Sequence, residues 1–516
     1  MTNDDAFSDE IRAQAIAWRV LLVIAAAQFL AHVITNGNYG IFRDEYYYLA
    51  CANRPAWGYV DQPPLSIWML ALWKAIFGQS VGAIRILPAL CGSALIVLTG
   101  AVAAQLGGGR WAQLFAGVGS AIGAAGLVIF GFYSMNCYDL LVWTGAYLLL
   151  IRIVASDDAR LWPWLGLLLG LGLFNKIGVL VFGIALAVGL VVSRHRRQLL
   201  DRRLYLGSLI ALILVLPYIL WNAANGWPTA EFIRNAKLYK IAAFSPAAFL
   251  AENILEANPV TVPLWIGGLL WLLFAKSARR YRIVGVMCVA TWLFLVLQKS
   301  KPYYFVSSLP VMLAAGGAAW ERWTSLNRWH WARWVLAANL VAGLAIFVPL
   351  ALPVLPPSEL DAYQQRLGIS AAPEEVSHTA PLPQYFADRF GWENLARTVA
   401  VVSAELPPGE RSRTIVLGRN YGHSAALEYW SKKYNLPPVY GRHNNYWLWG
   451  PPPADEDTTV IAINFEVGDL EKFFDDVSEV AVAESPWAQE PYLRILVCRG
   501  LKEPIDTVWP QIKIFI

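Results

Sequence analysis

The chain has 516 residues, 57% of them hydrophobic and 15% charged, with a mean hydropathy of +0.43, which excludes a soluble globule and predicts long contact with lipid. Its net charge of +4 comes from Lys and Arg clustered between apolar runs rather than along one stripe, which argues against a nucleic-acid partner. Cys51, Cys91, Cys137, Cys288 and Cys498 lack paired spacing, which argues against a zinc site or a disulfide framework.

In chain order, Asp4, Asp5, Asp9 and Glu10 open the sequence, whereas a secretory signal opens basic and ends at a small-residue cleavage site. The first apolar run is therefore expected to stay as an anchor. Apolar stretches near 16–36, 82–106, 111–131, 138–155, 161–175, 177–193, 204–222, 259–275, 282–298, 303–320 and 331–353 predict about eleven spanning helices. The pair 161–175 and 177–193 is short in both members, and only Asn175-Lys176 separates them. Basic loops at 194–203, 276–282 and 321–334 are expected on the cytoplasmic side. This count then puts the N-terminus inside, and loop 37–81, loop 223–258, the KSKPYY turn (299–304) and the tail after 354 outside.

Loop 37–81 contains IFRDEYYYLACANRPAWGYVDQPPL, dense in charge, aromatics and proline where a connector needs little of either. Arg43, Asp44 and Glu45 follow the first span, and Asp61 precedes a Gln-Pro-Pro turn. Carboxylates held at a lipid–water boundary suit a general base or a binder of sugar hydroxyls. Taken alone, Arg43 and Asp44 read sooner as an interfacial ion pair than as chemistry, and Tyr46, Tyr47, Tyr48 and Trp57 as interfacial anchors.

Asp139 follows FYSMNCY at the outer end of the fourth span, where it either faces a polar cavity or caps a helix. Lys176 interrupts GLGLFNKIGVL, as a phosphate ligand or as a snorkelling side chain. Arg54, Arg85, Arg234, Lys237, Lys240, Lys299 and Lys301 are further cations assigned to the same side, with Tyr303 and Tyr304 beside the last. KSKPYY also reads as a plain polar turn.

At LPVLPPSEL (352–360) the composition turns to that of a soluble domain, which sets the expected boundary between a transmembrane catalytic domain (1–355, with its first outer loop) and an extracytoplasmic α/β domain (356–516). In the second, 413–418, 458–465 and 492–498 predict strands, and 388–404, 423–434 and 468–476 predict helices. The segment GRHNNYWLWG (441–450), with His443, reads as a sugar or acceptor contact or as a buried loop.

The acidic pair after the first span, the acid before Pro-Pro, SMN-x-x-D at 134–139 and the α/β tail with ADRFGWENLA, NYGHSAALEYW and GRHNNYWLWG carry a resemblance. The chain resembles the bacterial glycosyltransferases of the protein-O-mannosyltransferase and lipid A aminoarabinose transferase superfamily. The resemblance implies a polytopic α-helical membrane protein of the C-type glycosyltransferase fold, sited in the bacterial inner membrane with its active site on the extracytoplasmic face. It implies a polyprenyl-phosphate sugar donor, a lipid, cell-envelope polymer or protein acceptor, and inverting transfer. Asp44 is then the catalytic base and Glu45 its support, while Asp61 and Asp139 line the sugar or acceptor cavity. Those aminoarabinose transferases have a lysine between the acid and the two prolines where this chain has Gln62. Phosphate binding must then lean on Arg43, Arg234, Lys176 or Lys301, and the sugar need not be aminoarabinose.

The chemistry requires no redox cofactor. Converging carboxylates leave room for a divalent ion, although no ligand spacing identifies one. No phosphate-cradling glycine loop argues for a nucleotide sugar. A lipid-linked sugar flippase or transporter is the alternative, and the two related halves that mark many transporters are not visible.

Overall fold

The protein is described from a computed structural model over residues 11–239, 244–326, 329–369 and 380–516. Lys240, the acidic residues before Ile11, and Asn327-Arg328 of the third basic loop lie outside these residues. A helix forms on each of the predicted spans: Trp18–Thr35, Val81–Gln105, Arg110–Ile122 with Ala124–Ile129, Asn136–Ser156, Trp162–Asn175, Leu180–Val192, Arg202–Ala224, Val262–Phe274, Arg282–Leu297, Leu309–Leu326 and Ala332–Ala351. Among the described residues, six helices are long and apolar enough to cross a bilayer singly, and up to eight if two bent pairs each count as one span. The bends measure 113° at Val192/Arg194 and 90° at Glu256/Pro259. Most of the shortfall against the expected count lies in helices of 13 or 14 residues, such as Arg110–Ile122 and Trp162–Asn175, and the rest in Leu309–Leu326, which has 18 residues but carries Glu321 and Arg322. At 1.5 Å per residue the shorter ones reach about 20 Å, less than a hydrocarbon core of about 30 Å.

The chain divides into two compact units. The first comprises residues 1–36, 82–219 and 243–354, and the second 37–81, 220–242 and 355–516. One junction of this division lies between Val354 and Leu355, and residues 37–81 group with 355–516 rather than with the helices that flank them.

In the first unit, lipid gives helices no hydrophobic reason to associate, so small residues that permit backbone contact set the packing. A Cβ on Gly268 would strike the Met312 carbonyl, one on Gly316 the Leu264 carbonyl, and one on Gly317 the Ala112 carbonyl. Helices Val262–Phe274, Leu309–Leu326 and Arg110–Ile122 are thereby brought into direct backbone contact. Gly166 and Gly207 do the same for Trp162–Asn175 and Arg202–Ala224.

In the second unit a five-stranded sheet forms from β1 (Thr414–Gly418), β2 (Val439–Gly441), β3 (Thr459–Ile463), β4 (Phe474–Glu484) and β5 (Tyr492–Leu501). Its order is β2-β1-β3-β5-β4, with β2-β1-β3 parallel and β5 antiparallel to both β3 and β4. Strands β1 and β3 are buried at every residue, which is why they read as unbroken apolar runs. Helices Trp392–Glu405 and Tyr421–Tyr434 pack beside the sheet. Val508 and Trp509 of helix Ile505–Gln511 join the cluster built on Ile415, Leu417, Val460 and Phe474.

The three expected strands are present, as are helices over most of 388–404 and 423–434. The helix expected at 468–476 is a correction: only Val467–Leu470 is helical, and Phe474 begins the edge strand β4. FDDVSEVAVAE pairs with the buried β5 along its length, and tertiary pairing overrides a weak local helical pattern there.

Candidate active site

Two clusters gather most of the sequence-predicted residues, one in each unit. In the second unit, helix Arg43–Ala52 begins after Phe42, whose backbone N–H donates to Glu45 Oε2 at 2.9 Å. The carboxylate three residues into the helix thus reaches back to close its start. Both acids stand in the first turn, where the helix dipole favours negative charge. Their settings differ. Glu45 is fully buried, whereas the Asp44 side chain is 37% exposed.

Asp44 Oδ1 accepts a hydrogen bond from the Tyr421 hydroxyl at 2.8 Å and lies 3.8 Å from Arg43 Nε. Its Oδ2 takes no protein hydrogen bond among the described residues. Arg43 pairs with buried Asp388 at 3.3 Å and sits over the Tyr421 ring. Its backbone N–H also donates to the Asp388 carbonyl at 3.0 Å.

Tyr421 is presented by the start of helix Tyr421–Tyr434, where Asn420 Oδ1 accepts the His423 N–H at 3.0 Å. His443 Nδ1 accepts the Tyr421 N–H at 3.3 Å, and its Nε2 donates to the Ile516 carbonyl at 2.8 Å. Buried, with both ring nitrogens engaged by backbone, His443 props the Tyr421 turn. Asp61 receives the buried Tyr47 hydroxyl at 3.1 Å, and Asn445 holds the same hydroxyl and the Val60 N–H. Burial, and then the Asp61 charge, push Tyr47 well above an ordinary tyrosine. Arg234 is exposed on helix Pro228–Tyr239.

Behind Arg43 lies a group that the sequence did not announce. Glu490 faces His423 Nε2 at 3.1 Å, Asn464 at 2.6 Å and Asn420 at 3.2 Å. Burial alone would raise its carboxyl, but His423, Arg43 and Asn464 outweigh that and lower it to about 2 from an ordinary 4.5. A depressed carboxyl stabilises the fold above its unfolded pKa and loses that contribution as pH falls through the folded one. Melting temperature is therefore expected to fall between pH 4.5 and 2, and Glu490→Gln to flatten that part of the profile. An unchanged slope in the variant would assign the acid sensitivity elsewhere.

Gly422 makes room for this arrangement. A Cβ there would lie 2.6 Å from Arg43 Cγ and 2.8 Å from Cδ. Gly422→Ala is expected to cost about 1–3 kcal/mol, read as a lower melting temperature. In an Arg43→Ala background most of that cost should vanish, because the obstructing side chain is gone.

In the first unit, Asp139 lies in the first turn of helix Asn136–Ser156 but does not cap it. Its Oδ2 accepts from Lys176 at 3.3 Å and Ser307 at 3.1 Å, while Oδ1 has no partner among the described residues. Lys176 sits at the break after helix Trp162–Asn175, where its extended backbone ends the helical path. It also donates to Asn136 Oδ1 at 2.8 Å and lies 4.8 Å from the centre of the Tyr304 ring. Only 8% exposed, Lys176 is a paired buried cation rather than a snorkelling one. Lys301 begins the 3-10 turn Pro302–Ser308 that carries Tyr304 and Ser307.

Tyr421, His423, Asp388, Ser307 and Glu490 went unread in the sequence. The first three lie inside noted motifs, and Asn420 three residues before His423 is a helix-start signal. Glu490 has no local signal. Among the described residues no group of three or more His, Cys, Asp or Glu side chains converges to hold a metal, so the divalent-ion option has no ligand set there.

Comparison with known proteins adds independent findings. Residues 61–221 match the family described as dolichyl-phosphate-mannose-protein mannosyltransferase. The undecaprenyl phosphate-alpha-4-amino-4-deoxy-L-arabinose arabinosyl transferase of Pseudomonas savastanoi pv. phaseolicola is 28% identical over 177 residues. That match spans 31% of this chain and 31% of the relative's length. ArnT from Cupriavidus metallidurans bound to undecaprenyl phosphate superimposes with a TM-score of 0.57 at 15% identity, covering 94% of this chain and 98% of that one. Its apo state gives 0.58 at 15% identity, with 93% and 97% covered. The chain has the polytopic membrane C-type glycosyltransferase fold with a C-terminal sheet domain, and its likeness to the protein-O-mannosyltransferase and lipid A aminoarabinose transferase superfamily rests on residues 61–221 in sequence and on nearly its whole length in fold.

Proposed function

We propose that the chain is a membrane glycosyltransferase that moves a sugar from a polyprenyl-phosphate carrier to a hydroxyl acceptor, with inversion, on the extracytoplasmic face of the bacterial inner membrane. The observation that carries this reading is the Asp44 carboxylate. One oxygen is fixed by Tyr421 at 2.8 Å, and the other takes no protein hydrogen bond among the described residues. An oriented carboxylate with one unengaged oxygen suits proton abstraction. In the proposed step that oxygen takes the acceptor's hydroxyl proton as the acceptor oxygen bonds to the anomeric carbon. The bond from that carbon to the phosphate oxygen breaks, and polyprenyl phosphate leaves with the electron pair.

Glu45 supports this by holding the helix start from which Asp44 projects. Asp61 and Asp139 are assigned to sugar or acceptor hydroxyls. The phosphate is assigned to Lys176 with Tyr304 and Lys301, or else to Arg43 and exposed Arg234, since cations that steady a departing phosphate lower the barrier. His443 acts through Tyr421. The likeness to ArnT, a protein solved with undecaprenyl phosphate, supports the donor class. The basic loops 194–203 and 276–282 support the orientation.

The test is reconstituted protein with a panel of polyprenyl-phosphate sugars and cell-envelope acceptors, scoring release of polyprenyl phosphate and label in the acceptor. Movement of the lipid across the bilayer without bond cleavage would overturn the enzymatic reading in favour of a flippase. Tyr421→Phe removes one hydrogen bond to the base and is expected to lower kcat about tenfold with little change in KM.

A further inference from the structure

A cavity of about 220 Å³ lies within the α/β module of the second unit, between the sheet and helix Ile505–Gln511. It has room for about seven waters at ~30 Å³ each, the scale of a short alkyl chain. Leu417 of β1, Val460 of β3, Phe474 of β4 and Trp509 contribute its apolar wall. Arg442, immediately after β2, also lines it, with the guanidinium carbon 4.9 Å from the centre of the Phe465 ring.

Arg442 forms no ion pair among the described residues; its Nε reaches the Arg419 carbonyl at 3.5 Å. Asp469 and Lys472, the other charged residues of the lining, pair with each other at 2.9 Å. Burial, and then the nearby Arg419, lower Arg442 to about 10. Asp469 acts on this partly desolvated guanidinium only at a distance, and no carboxylate among the described residues bonds it beside the apolar chamber. Guanidinium planes favour carboxylate and phosphate, and small-molecule sites are mostly apolar with few polar anchors.

The geometry points to a second ligand site in the α/β module, one that takes a small amphiphile with its anionic group on Arg442 and its apolar body against Leu417, Val460, Phe474 and Trp509. None of these residues belongs to the cluster around Asp44, so the site stands whether or not the transferase reading does. Carboxylate or phosphate on a short chain is the shared chemistry, and its source is either a soluble amphiphile or an anionic lipid.

The experiment uses the full chain in neutral-lipid nanodiscs. One arm adds a diazirine-bearing octyl phosphate in water, and the other a phosphatidic acid carrying the same diazirine within the bilayer. Photolabelled peptides are mapped by mass spectrometry. Labelling within 415–417, 460–474 or 501–512 by either probe supports the site, and the arm that labels names the source. Arg442→Gln is expected to lower labelling at least tenfold, Arg442→Lys to retain most of it, and Ile505→Trp, which fills the chamber, to abolish it with Arg442 in place. Equal labelling of wild type and Arg442→Gln, equal labelling by diazirine octanol, or no labelling of these peptides by either probe would overturn the proposal.

Discussion

Asp44→Asn is expected to lower kcat for sugar transfer by about 10²–10⁴-fold while leaving the melting temperature within a degree or two of wild type. The substitution is nearly isosteric, and its carbonyl oxygen still accepts the Tyr421 hydroxyl that now reaches Asp44 Oδ1. What it removes is the capacity to take a proton. Because the side chain is more than a third exposed and Arg43 keeps Asp388 as its partner, loss of its charge leaves no buried charge unpaired. Asp44 therefore separates activity from stability more cleanly than Glu45, whose buried carboxylate holds the helix start. Steady-state kinetics with a labelled donor, run beside thermal melting, decide the matter. Transfer at the wild-type rate by a folded Asp44→Asn protein would remove Asp44 from the chemistry.

Lys176→Met should be the most damaging single change to stability, at about 3–5 kcal/mol. It leaves the Asp139 carboxylate buried, with Oδ1 unpartnered among the described residues and Oδ2 served by Ser307. Adding Asp139→Asn removes the orphaned charge, so the double variant should recover most of the loss. The coupling can be read from denaturation midpoints of the four proteins in nanodiscs. If the two substitutions simply add, the ion pair is not the source of the stability. Transfer by the double variant, set against Asp139→Asn alone, tests the phosphate role separately, since its fold is restored but its cation is not.

Much of this architecture is legible from apolar periodicity, and the eleven helical segments follow the eleven apolar runs. Legibility fails where a contact joins residues far apart in the chain. Lys176 looks like a snorkelling residue until Asp139 is found 37 positions away at 3.3 Å. Asp139 resembles a helix cap for the same reason. Tyr421 is 377 positions from Asp44, and Glu490 is 67 from His423, so neither pairing leaves a spacing to read. At 468–476 the competing influence is β5, which supplies a pairing partner that local propensity does not see. Gln62 shows the reverse case. The departure from a lysine is plain in the sequence, and the structure adds that this amide is buried with Nε2 unpartnered among the described residues.

The second unit is assembled from three separated stretches, 37–81, 220–242 and 355–516. Its composition implies a schedule. Asp44 leaves the ribosome early, but the hydroxyl that orients it belongs to Tyr421, 377 residues later. At ordinary rates of synthesis that interval is roughly 20–75 s. For that time the nascent chain holds an acidic helix start without the side chain that aims it, and the candidate base becomes organised only as the sheet module closes around it.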